Sequence, residues 1–209
     1  MDFLTVLVAC FAVFVAVQPG SWIRVKWDER QSVRRTREAV VVRWEAVARD
    51  AISLDGDRSQ TQLFLFSDYE CPFCRRMEAS LDSALTDGLK VGFVPMPRAT
   101  TQFGIGAAIA VICAEAVGAA GGMHRRLMTT DQWQADGDWV REARTLGIVP
   151  LAQFEACTLG SEARARVARL RTIADSAGVT ATPTVVSRSG VMRGVPSRAD
   201  LTALASRAR

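Results

Sequence analysis

The sequence predicts an α/β fold in which a long helical segment interrupts the sheet, preceded by an N-terminal transmembrane helix. Three observations lead there. Leu63–Phe66 is an apolar, aromatic run of strand length that passes through a polar turn into Cys71-Pro72-Phe73-Cys74 and a helical repeat. Between Phe103 and about Ala177 the pattern is helical throughout, with no strand signal. Strand signals return at Thr184-Val185-Val186 and Val191-Met192.

In chain order, Phe3 to Val17 is a run of fifteen residues in which only Thr5 is polar. At 1.5 Å per residue it covers about 22 Å, and extension through Trp22 and Ile23 is needed to approach the ~30 Å hydrocarbon core. A cleaved signal peptide is the competitor. Asp2 at the start, the lack of early Lys or Arg and the lack of a small-residue cleavage site favour an uncleaved anchor over residues 1–23. Residues 24–60 are expected to hold a juxtamembrane helix and linker. Val33, Val40, Trp44, Val47, Ala48 and Ala51 mark an amphipathic helix from about Ser32 to Ile52, and Asp55-Gly56-Asp57-Arg58-Ser59 marks a turn.

Residues 61–209 are expected to be the folded domain. Phe73, Met77, Leu81 and Leu85 recur at helical spacing, and Asp87-Gly88 ends that helix. Val91-Gly92-Phe93-Val94 reads as a second strand, closed by Pro95 and Pro97. The helical insertion, about 98–177, has expected breaks at Gly121-Gly122, Asp136-Gly137 and Gly147 to Pro150, and Gly178 suits the position just past a helix end. Arg188-Ser189-Gly190 is a hairpin-like turn, and a last helix runs from Ser197 to Arg207.

Composition narrows the function. The chain has 209 residues, 49% hydrophobic, with a net charge of +4. Its basic residues interleave with acids, as on a solvated helix face, and no basic–aromatic patch appears, so nucleic acid is excluded as a partner. Cys10 lies in the apolar segment, which leaves Cys71, Cys74, Cys113 and Cys157. Four cysteines are compatible with two disulfides in an oxidising compartment, or with one pair plus two buried free thiols.

The chemistry centres on Cys71 and Cys74. A helix start carries partial positive charge and unpaired N–H groups that favour a thiolate, and Pro72 fits the first helical position. Zinc would need a second close ligand pair. Cys113 and Cys157 are far apart and His124 is the single histidine, so no metal is expected. A structural Cys71–Cys74 bridge would constrain the unfolded chain little. Redox chemistry is the economical reading, with no cofactor besides the cysteine pair.

The stretch from Phe66 to Arg76, with Gly178-Val179-Thr180-Ala181-Thr182-Pro183-Thr184 far downstream, resembles the DsbA family of thioredoxin-like disulfide oxidoreductases, in its membrane-anchored bacterial branch. The similarity covers roughly Val42 to Arg209. It implies a thioredoxin-like fold with a helical insertion, Cys71 as the nucleophile and Cys74 as the resolving thiol. It also implies a cis Pro183 facing them, with Thr182 offering backbone hydrogen bonds to substrate and Pro72 and Phe73 tuning the redox poise. In some relatives a second disulfide falls where Cys113 and Cys157 stand. Leu65 occupies the position at which thioredoxins keep a buried carboxylate, which leaves Asp68, Glu70 or water for any proton relay. Asp68 and Glu70 are expected to be solvated turn residues, and His124 to cap or pack a helix.

The expected activity is thiol–disulfide exchange on protein cysteines in the cell envelope, in the direction of disulfide formation. The alternatives are a reductase or isomerase, and a non-catalytic anchored binding module. The expected partners are cysteine-containing exported proteins and a membrane redox protein, either a quinone-linked reoxidase or a thiol donor. Orientation carries a conflict. Arg24, Lys26, Arg30, Arg34, Arg35 and Arg37 follow the anchor, and the positive-inside rule would hold them in the cytoplasm. The cysteine chemistry points outward, and the domain is placed on the periplasmic side.

Overall fold

The computed structural model describes residues 20–55, 60–98 and 103–207, together with residues 2, 4–8, 11, 14 and 18. Part of the expected anchor and all but Asp55 of the expected linker turn lie outside the described residues. Among the described residues, no helix is long and apolar enough to cross a membrane.

A five-stranded mixed sheet, in spatial order β1-β3-β2-β4-β5, is built from β1 (Ile52–Ser53), β2 (Leu63–Ser67), β3 (Val91–Pro95), β4 (Thr184–Val186) and β5 (Val191–Arg193). The central pair β2–β3 is parallel, with Leu63 opposite Val91 and Ser67 opposite Pro95; the other pairs are antiparallel. Strand periodicity sends neighbouring side chains to opposite faces. Leu63 and Leu65 therefore join one buried cluster, and Phe64 and Phe66 join the other. All four are at most 2% exposed, and each contributes about 1.5–3 kcal/mol of burial.

The N-terminal half departs from expectation. Instead of one helix from Ser32 to Ile52, α1 (Trp22–Val42) begins ten residues earlier and breaks at Arg43, and α2 (Trp44–Asp50) follows. Ile52 and Ser53 are not helical; they pair with Phe93 and Gly92 as an edge strand. Val40, Trp44, Val47 and Ala51 pack with Phe64 and Phe66 on one sheet face, and Trp44 meets Phe64 at 4.4 Å between ring centroids. Val40, Trp44, Val47, Ala51, Ile52 and Ser53 are thus buried with the sheet, where the sequence suggests a connector. The apolar spacing fits a helix; the sheet it packs on is set by the fold.

The opposite sheet face carries α3 (Pro72–Thr86) and the inserted helices. The insertion runs α4 (Gly104–Glu115), α5 (Ala120–Thr129), α6 (Trp133–Asp136), α7 (Trp139–Thr145), α8 (Leu151–Leu159) and α9 (Ser161–Ser176). The α4–α5 break falls at Ala116–Ala119, not at Gly121-Gly122, which are helical. A Cβ on Gly121 would run into the Leu54 carbonyl oxygen, so this glycine serves close packing of α5 on the chain after β1. Helix α9 returns to the Phe64/Phe66 face through Leu170 and Ala174. Gly178 follows it at φ +67°, as a C′ residue should. The last helix, α10 (Arg198–Ser206), starts at a capping box between Ser197 and Asp200.

Candidate active site

Strand β2 ends at Ser67, and the turn Asp68–Glu70 delivers Cys71 to the N-cap of α3 in extended conformation, with Pro72 in the first turn. The thiols of Cys71 and Cys74 are free. Cys71 is 6% exposed and Cys74 2%. The Cys71 thiol points at the Thr182 carbonyl oxygen, Sγ to O 3.6 Å, and the Thr182–Pro183 peptide bond is cis. The structure thus brings together Cys71, Cys74, Pro72, Phe73, Thr182 and Pro183 from two segments more than a hundred residues apart.

The two thiols are electrostatically unequal. Burial acts to raise both. At Cys71 hydrogen bonds to the thiolate outweigh it: from the Thr182 side chain, the Cys74 N–H and thiol, and the Phe73 N–H. Its pKa is lowered as a result. At Cys74 burial wins over help from Ser67 and the Asp68 N–H, and the thiol is pushed up to about 12. The Cys71 sulfur gives up its proton more readily than an ordinary thiol, and the Cys74 sulfur holds its proton more firmly.

Asp68 is not the solvated turn residue expected. Its side chain is fully buried, accepts the Glu70 N–H at 3.1 Å and pairs with Arg98 at 3.2 Å. Burial raises its carboxyl pKa, opposed by those partners. The reason was not legible locally, because the cation that permits this burial lies thirty residues away at the end of β3. Glu70 is half-buried, and its Oε2 is buried without a hydrogen-bond partner among the described residues.

His124 neither caps a helix nor merely packs. It is 1% exposed and bridges two buried groups, Nδ1 to the Tyr69 hydroxyl at 3.0 Å and Nε2 to Glu78 Oε2 at 3.2 Å. The bridge ties α5 to the turn before Cys71 and to α3 just after Cys74. A signal was present: Glu78 shares the Cys74–Met77–Leu81 stripe, and His124 lies among Ala120, Met123, Leu127 and Met128. Phe73 is 52% exposed, with the Arg76 guanidinium 4.4 Å from its ring centroid. Leu65 is buried in the core.

Cys113 and Cys157 form a disulfide, with Cα atoms 5.6 Å apart, that joins α4 to α8 and does not line the reactive cleft. That cleft, about 590 Å³, is bordered by Cys71, Phe73, Met96, Arg98, Arg171 and Thr182. Among the described residues no three His, Cys, Asp or Glu side chains gather as a metal site requires.

The sequence profile of the thioredoxin family matches residues 56–204. The chain belongs to the thioredoxin family. No curated protein sequence matches it. Among solved structures it is similar to a thioredoxin-like oxidoreductase from Silicibacter pomeroyi, with 24% identity over 70% of this chain and 85% of the other and a TM-score of 0.62. A linker-deletion variant of ScsC from Proteus mirabilis superposes on 99% of this chain and 96% of its own, with 16% identity and a TM-score of 0.73. The thiol-disulfide exchange protein α-DsbA2 from Wolbachia pipientis shares 15% identity over 82% of this chain and 95% of its own, with a TM-score of 0.69. These likenesses show the thioredoxin-like fold.

Proposed function

We propose that this thioredoxin-family protein is a thiol–disulfide oxidoreductase of protein cysteines, and that it runs in the direction of disulfide formation. The observation that carries the reading is the inequality of Cys71 and Cys74 beside Thr182. In the oxidised protein a substrate thiolate attacks Cys71 Sγ. The Cys71–Cys74 bond breaks, a mixed disulfide forms at Cys71, and Cys74 leaves and takes up a proton. A second substrate thiolate then attacks the substrate sulfur of the mixed disulfide and expels Cys71 as a thiolate. The substrate has lost two electrons, and the protein holds two thiols. A low-pKa sulfur is the better leaving group and stabilises the reduced protein, which favours the oxidising direction.

The backbone at Thr182 provides main-chain pairing for an extended substrate, which suits many sequences. The Cys113–Cys157 disulfide supports an extracytoplasmic location. Anchoring to the membrane through residues 1–23, with a membrane redox protein restoring the disulfide, is supported by the apolar run and by exposed Leu4, Leu7, Phe11, Phe14, Trp22 and Trp27. A measured reduction potential tests the direction. A value well above about −220 mV, the upper edge of the cytosolic glutathione range, is expected; one near about −270 mV, as in thioredoxin, would overturn it. Loss of dithiol oxidation in Cys71→Ser separates the enzyme from a non-catalytic binding module.

A further inference from the structure

The Cys71 cleft does not end at the reacting sulfur. Its far wall, Arg171 and Asp175 on α9, is also the near wall of a second open cleft of about 510 Å³. Pro97, Ile105, Arg164, Val167 and Ala168 complete the second cleft. The shared wall is held in place. Arg171 donates to the Pro97 carbonyl at 2.6 Å and to Asp175 at 3.1 Å, so helix α9 and the end of β3 keep the two clefts at a set spacing.

The two clefts differ in chemistry. Beside Cys71 the arginines are engaged, Arg98 with buried Asp68 and Arg171 with Asp175. In the second cleft Ile105 is 43% exposed at the start of α4 and faces solvent beside Ala168. At its far end Arg164 is exposed, and no ion pair holds it among the described residues. Guanidinium groups from Arg98, Arg164 and Arg171 thus line the two clefts against one exposed carboxylate, Asp175. An apolar shelf that leads to an unpaired cation fits a peptide carrying an apolar side chain and, beyond it, a carboxylate.

Helix geometry sets the spacing. From Asp175 to Arg164 the helix rises about 16 Å at 1.5 Å per residue, which an extended chain covers in about five residues. The shelf at Val167 and Ala168 falls about three residues along the same path.

We propose that the two clefts form one docking path, selecting extended substrate segments with an apolar residue and, about two positions farther from the reacting cysteine, a carboxylate. The proposal rests on the oxidoreductase reading above and names its substrate class. The occupant is the substrate polypeptide itself, because the second cleft shares the Arg171–Asp175 wall with the cleft that holds the reacting sulfur, and its unpaired charge is positive.

The test measures mixed-disulfide formation between the full-length oxidised protein and cysteinyl peptides. One peptide series carries Leu and, two positions farther from the cysteine, Glu, stepped through successive spacings on both sides; the matched series carries Ala and Lys there. At the spacing that fits, the Leu/Glu peptide is expected to react about three- to tenfold faster at low salt, as one or two exposed charge contacts allow. The preference should shrink in about 1 M salt, where the screening length is about 3 Å. Arg164→Glu should reverse the preference in charge, and Ile105→Asp should remove its apolar part. Equal rates with the two series at every spacing, or a preference that survives both salt and Arg164→Glu, would overturn the docking path. A change of oligomeric state in Ile105→Asp would assign the shelf to a second copy and overturn it too. Failure of the wild type to react with any cysteinyl peptide or with glutathione would refute the oxidoreductase reading instead.

Discussion

Replacing Cys71 by serine leaves Cys74 as the single thiol of the pair, and its reactivity reports how strongly burial controls it. With a pKa pushed up to about 12 from an ordinary 9.0, Cys74 carries about a thousandfold less thiolate at pH 7 than a free thiol, a difference of about 4 kcal/mol. Removing Cys71 also removes a contact that raises Cys74, so the midpoint in the variant should fall somewhat below 12 and stay above 9.0. The assay is the rate of iodoacetamide alkylation against pH, with the modified peptide identified by mass spectrometry so that Cys10 is not counted. In the reciprocal Cys74→Ser variant the Cys71 midpoint should lie below 9.0, since the Thr182 side chain and the Phe73 N–H still favour its thiolate. A Cys74 midpoint at or below that of Cys71 would refute the electrostatic ordering, and with it the assignment of nucleophile and resolving thiol.

The same shifts set the pH dependence of the reduced fold. Above about pH 9 the unfolded chain loses the Cys74 proton while the native state keeps it until about 12, so the reduced protein should lose up to about 4 kcal/mol across that range. The depressed Cys71 acts oppositely: its stabilisation is complete above the unfolded thiol pKa and is lost as pH falls through its native value. The oxidised protein should show neither effect when denaturation midpoints of the two forms are compared. Replacing Cys113 and Cys157 by alanine opens a loop with a sequence separation of 44, which chain entropy puts at about 4 kcal/mol; a loss under about 1 kcal/mol in urea titration would contradict this. Gly121→Ala places a Cβ against the Leu54 carbonyl and should cost about 1–3 kcal/mol, seen as a lowered melting temperature; an unchanged value would mean that β1 and α5 separate freely.

Legibility tracked the range of the interactions. Leu63–Phe66 reads as a buried strand because both sheet faces are covered and every side chain must be apolar. Cys71 at the N-cap, Pro72 after it and the capping box at Ser197 are decided within four residues of chain. The glycines at 121 and 122 misled because a glycine signals a break locally, whereas here Gly121 answers a carbonyl sixty-seven residues away.

What the chain by itself determined is a strand that hands two cysteines to a helix start, a helical insertion, and a second strand segment with Thr182-Pro183 before it. Only the tertiary structure shows how the surroundings lower the Cys71 thiol and raise that of Cys74. That difference depends on Thr182, brought beside Cys71 from the far side of the insertion, and on the depth of the Cys74 sulfur. It also decided that Asp68 is buried, because Arg98 supplies the charge that makes burial tolerable. Likewise it made His124 a bridge, because Tyr69 and Glu78 meet it from two other elements. Backbone propensity and side-chain period act over a few residues and are written in the sequence. The desolvation and pairing of charge act through space, and the folded chain alone settles them.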